Sequence, residues 1–96
     1  MKIKEQKQDY YFCQQMIKAN QRILNGYLKI QNIAESAIIE RLQQYRIAKF
    51  ENNHKLKEFI KEQIKYWKIQ LADSETEINH YKSSLKKYND QLILIS

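Results

Sequence analysis

Apolar residues in the second half of this chain recur at alternating steps of four and three: Ile60, Ile64, Trp67, Leu71, Ser74, Ile78, Tyr81, Leu85, Tyr88, Leu92, Ile95. Such spacing marks a helix face that meets another helix along a heptad seam, here aliphatic at one seam position and mostly aromatic at the other. Ser74 is the one polar member. With Glu77 three residues on it has the form of a capping box, a helix-start signal. The phase nevertheless runs unbroken from Leu71 through Ser74 to Ile78, so the pattern predicts one helix over about 53–94.

The first half repeats the spacing through Cys13, Ile17, Asn20, Leu24, Tyr27, Gln31, Ala34, Ile38, Leu42 and Tyr45, with one four-four irregularity at Leu42. The step from Leu24 to Tyr27 crosses Asn25-Gly26, which holds the only glycine, without losing phase. A mid-helix glycine costs roughly 1 kcal/mol relative to alanine, a load a long helix carries. The pattern therefore predicts a helix over about 4–50. The rival is a chain broken at Asn25-Gly26 into a three-helix bundle, or also at Ser74 into a short four-helix bundle. A break at Gly26 alone would leave half of the last helix without a neighbour.

The turn falls in "FENNHK", Phe50–Lys55, where consecutive asparagines tolerate left-handed and capping conformations: one can end the first helix and the other N-cap the second. His54 is then a turn residue. The expected fold is all-α, a long antiparallel two-helix hairpin forming a single domain over 1–96. A turn centred on Asn52 and Asn53 sets Leu71 against Ala34, Trp67 against Ile38, Ile78 against Tyr27, Tyr81 against Leu24, Leu85 against Asn20, Tyr88 against Ile17 and Leu92 against Cys13. Ser74 and Gln31 then share one layer, where they would bond each other or a water.

The flanks of the two seams differ. Beside the second seam the residues are mostly polar, such as Lys61, Lys68, Gln70 and Glu77. Beside the first, Met16, Ile23, Ile30 and Ala37 form an apolar line at heptad spacing, with Leu28 and Leu42 thickening the other side. A narrow stripe suffices for a pair of helices and a wider one implies more neighbours. The first helix is therefore expected to contact a partner helix or a second copy. The competing reading lets this line wrap sideways onto the second helix. Ile47, Phe50, Leu56 and Phe59 surround the turn, either to close that end or to dock against a partner. The terminal "LILIS" reads as a fraying end or a small docking segment.

Composition narrows the chemistry. Proline is absent, and 96 residues with a formal net charge of +6 make a small basic chain with limited core. The charge excess is a favourable field for polyanions, and Lys57, Lys61, Lys65 and Lys68 are the candidate anion-binding line. Glu58 and Glu62 are interleaved and are expected to pair with Lys61 and Lys65. The lone Cys13 cannot form an intrachain disulfide and reads as a buried thiol. That, with no segment long enough to span a bilayer and no apolar secretory core in "MKIKEQKQDYYF", predicts a cytoplasmic or other reducing compartment. His54, His80 and Cys13 have no metal spacing, and Asp73, Glu75 and Glu77 read as a solvated face. No cofactor, metal or catalytic residue is expected.

Length and turn position are similar to the small helical-hairpin proteins of type VII secretion, including accessory partners of larger toxins. The chain departs from them in carrying Glu51-Asn52-Asn53 where that family has Trp-x-Gly, and it lacks a Tyr-x-x-x-Asp/Glu near its end. The resemblance implies an accessory partner of a secreted substrate. The residues themselves point to a non-enzymatic interaction module, an adaptor, assembly subunit or small chaperone-like partner working through Met16, Ile23, Ile30, Ala37, Leu28, Leu42, Phe50 and Phe59. Nucleic-acid or other anion binding through the lysine line is the alternative.

Overall fold

The computed structural model describes the backbone of residues 2–95 and the side chains of residues 7–95. Two helices account for nearly all of it: α1, Lys2–Phe50, and α2, His54–Ile95, joined as an all-α hairpin. α1 runs through Asn25-Gly26 and α2 through Ser74 without interruption, so the bundles broken at those points are not formed. Gly26 has a helical backbone with no positive φ, as phase continuity requires.

The turn is built by the two asparagines in the order their chemistry suggests. Asn52 takes the left-handed conformation, φ 56°, and its N–H donates to the Lys49 carbonyl at 3.2 Å, while the Asn53 N–H donates to the Ala48 carbonyl at 2.9 Å. These two bonds form a Schellman closure that satisfies carbonyls orphaned at the end of α1. Asn53 then starts α2, its side-chain oxygen accepting the Leu56 N–H at 3.2 Å and its carbonyl accepting the Lys57 N–H at 3.0 Å. An N-cap of this kind is worth about 1 kcal/mol.

Contacts divide the hairpin into two compact parts, Leu28–Thr76 around the turn, and Met1–Tyr27 with Glu77–Ser96. In the turn part, Ala48, Ile60 and Ile64 form a buried cluster against which Tyr45 packs, and Ala34 and Ser74 are also buried. The Ser74 hydroxyl donates to the Leu71 carbonyl of its own helix at 2.8 Å. It thus finds its partner within α2 and not in Gln31, because the hydroxyl of a helical serine can reach back to a carbonyl of the preceding turn.

In the part that carries the ends of both helices, Cys13, Asn20, Leu24 and Ile78 are buried. Asn20 donates from its amide to the Met16 carbonyl at 2.7 Å. Tyr27 and Tyr81 stack with centroids 5.9 Å apart, and Phe12 meets Tyr88 edge-on at 6.2 Å. The expected neighbours of those two tyrosines across the seam were Ile78 and Leu24. Two long rings lean diagonally toward one another instead, a contact worth about 0.5–1.5 kcal/mol beyond its area. The Cys13 thiol donates to Gln91 Oε1 at 3.6 Å, one residue from the expected Leu92.

One expectation is corrected. Leu42 is exposed, and the seam of α1 continues through Arg41, Tyr45 and Ala48, which keeps the four-three spacing without the irregularity. Arg41 holds the seam with its aliphatic stem while its Nη1 sits 3.6 Å from Glu40 Oε1. Its Nε is buried without a hydrogen-bond partner.

Candidate functional site

On an α-helix each residue advances about 100°, so lines that recur every seven residues mark neighbouring strips of surface. The Met16, Ile23, Ile30, Ala37 line borders the α1 seam on one side. Met16 and Ala37 are half-buried, whereas Ile23 and Ile30 each keep 41% of their surface exposed. The sideways wrap onto α2 is therefore partial, and the two isoleucines in the middle of the line remain partly in water. Leu28, on the opposite flank, is half-buried, and Leu42 is exposed.

A second strip lies outside this line, one the flank reading missed. Phe12, Ala19, Gly26 and Ile33 also recur at seven and are all exposed, Ile33 at 57%. Interleaved with the first line they read Phe12, Met16, Ala19, Ile23, Gly26, Ile30, Ile33, Ala37, again in steps of four and three. α1 thus carries two seams about 100° apart, one filled by α2 and one bare. Apolar residues on two faces also explain why α1 is a less one-sided helix than α2. The signal was present in the sequence, but glycine and alanine score weakly as hydrophobic, so only the isoleucine line stood out.

Gly26 sits in this bare seam. A Cβ built on it meets nothing within 4 Å, so no part of the chain uses the space that its missing side chain leaves. Around the turn, Phe50 at 89% and Phe59 at 60% stand in solvent, with Ile47 and Leu56 also exposed. They do not close that end of the hairpin, which corrects one of the two expectations for them.

The lysine line resolves into two kinds of residue. Lys61, Lys65 and Lys68 surround a shallow surface depression with Glu58, Glu62 and Ile69, whereas Lys57 is half-buried and does not join it. Neither Glu58 nor Glu62 closes an ion pair. Among the described residues the one salt bridge is Arg41–Glu40. His80 packs edge-on against Tyr81 at 5.0 Å. Among the described residues no group of three His, Cys, Asp or Glu side chains is placed to hold a metal ion, and no helix is long and apolar enough to cross a membrane. Another hollow, lined by Asp9, Phe12, Cys13, Gln91, Leu94 and Ile95, is open and mainly apolar. Comparison of the chain with protein-family models, curated proteins and solved structures gave no match.

Proposed function

We propose that this chain is a non-enzymatic interaction module, an adaptor or assembly subunit, which acts by packing the bare seam of α1 against a helix from outside the hairpin. The observation that carries the reading is the run of eight apolar or small positions at heptad spacing, six of them exposed, among them Ile23, Ile30 and Ile33. A contiguous apolar strip on a helix has a clear energetic use when another helix covers it, at about 25 cal/mol per Å² of apolar surface removed from water.

The test is the double substitution Ile23→Glu with Ile30→Glu. Helix content by circular dichroism should stay close to that of the parent, because both side chains lie outside the buried core. Association, either with a second copy or with a protein that co-purifies from the source, should be lost. A parent chain that is a monomer by light scattering and brings down no partner contradicts the reading.

A second reading has its own observation. Lys61, Lys65 and Lys68 ring one depression and carry no ion pair, which leaves their charge free for a nucleic acid or other polyanion. Such binding would weaken steeply as salt rises, since neutralised phosphates release counterions. Absence of binding to DNA or RNA at low salt removes it.

A further inference from the structure

The turn part of the hairpin, Leu28–Thr76, sorts its charges by face. Ala48 and Tyr45 of α1, packed with Ile60 and Ile64 of α2, mark the side that each helix turns toward the other, and half-buried Trp67 continues it along α2. At about 100° per residue, the residue that follows each contact position and the residue that precedes it fall on opposite flanks of the helix. Because the two helices are antiparallel and face one another, the following residues of both lie on one broad face of the hairpin, and the preceding residues of both lie on the other. The following residues are Arg46 and Lys49 on α1 and Lys61, Lys65 and Lys68 on α2, all exposed. The preceding ones, Gln44, Ile47, Phe59, Gln63 and Tyr66, include no lysine or arginine. The lysine line is thus one side of a cationic face to which α1 also contributes, and none of these five cations closes an ion pair. Glu58, after half-buried Lys57, is an acid within it, and Glu35 and Glu75, which follow buried Ala34 and Ser74, bound it away from the turn.

We infer that this face holds the phosphate backbone of double-stranded DNA, Arg46 and Lys49 meeting the phosphates of one strand and the α2 lysines those of the other. This deepens the anion-binding reading above and rests on it. Packed helices lie about 8–10 Å apart, and the two phosphate lines of B-DNA face one another across grooves about 6 and 12 Å wide. Cation rows on two adjacent helices therefore have a separation suited to both edges of one groove. Along α2, Lys61 to Lys68 rises about 10 Å, a length over which a duplex carries about six charges. The exposed rings of Phe59 and Tyr66 lie on the reverse face. A single strand is held by stacking its bases on aromatic side chains, and a lipid headgroup layer is likewise met by aromatic rings. Neither finds an exposed ring on the cationic face, and Ile39 and Leu42, exposed aliphatic residues on its α1 side, are too little apolar surface to seat it in lipid. Ile30, Ile33 and Ala37 of the bare seam precede Gln31, Ala34 and Ile38, so they too lie on the reverse face. DNA and a helical partner thus use different faces.

The test is the fluorescence anisotropy of a short labelled DNA duplex titrated with the full chain. Neutralising about five phosphates predicts an affinity that falls about 10²–10³-fold as salt rises from about 50 to about 200 mM. Arg46→Gln with Lys49→Gln should keep helix content, weaken duplex binding about tenfold at the lower salt, and make the salt dependence shallower by about two phosphates. Loss of binding in Lys61→Gln with Lys65→Gln and Lys68→Gln, while the Arg46 and Lys49 variant binds as the parent does, overturns the shared face and keeps the lysine reading. A single strand bound as tightly as the duplex, or phosphatidylserine vesicles bound in place of DNA, overturns the duplex as the occupant. No binding of the parent to duplex, single strand or vesicles at low salt sinks both this inference and the anion-binding reading.

Discussion

Asn52 and Asn53 are chemically identical and serve opposite ends of two helices. Asn52 occupies the left-handed conformation and Asn53 accepts one orphan donor of α2, the Leu56 N–H. Replacing Asn53 with alanine should cost about 1 kcal/mol in chemical denaturation. Asn52→Ala should cost about as much through backbone strain, while Asn52→Gly should be neutral or stabilising. The division of labour was legible in the sequence because few residues other than asparagine and glycine suit both tasks. Arg41 was not legible. Leu42 next to it is apolar, so hydropathy selects the leucine, whereas unbroken phase selects the arginine. The structure sides with phase, because the arginine stem can line a seam while the charged head reaches out. It leaves Nε buried and unpaired. Arg41→Leu removes that unsatisfied donor and fills the layer, and should raise stability by about 1 kcal/mol, read as a higher unfolding midpoint.

At the scale of the element, α1 and α2 differ in how many neighbours their surfaces anticipate. α2 concentrates its apolar residues on one face, and its buried Ile78 is a member of a filled seam. Ile78→Ala should destabilise the chain by about 2–4 kcal/mol in urea unfolding. In α1 the buried Leu24 belongs to the filled seam, and Ile23 beside it to the bare one. Gly26→Ala has a sign that separates turn from helix: with a helical φ and open space for the added methyl it should gain about 1 kcal/mol by helix propensity. Both helices were readable from their four-three phase, including the passage across Gly26. The full width of the bare seam was less readable, because Ala19 and Gly26 contribute spacing without hydropathy, and their membership emerged only with the exposure of Ile33 and Phe12 on the same strip.

For the whole molecule, the fold follows from local rules and the proposed role from what those rules leave uncovered. Small chains have little core relative to surface, and this one leaves Phe12, Ile23, Ile30 and Ile33 exposed on one stripe of α1. Under the proposed function, a partner of complementary shape would supply what a second layer of its own does in a larger protein. The most direct check of that claim is the molar mass of the chain, as purified from its source, by sedimentation equilibrium across a range of concentrations, beside the Ile23→Glu with Ile30→Glu chain. The account predicts a mass above 11.7 kDa for the parent, from a companion or a second copy, and 11.7 kDa for the variant with its helix content intact. A parent that remains at 11.7 kDa at every concentration, and from which no companion is lost on mutation, would contradict it.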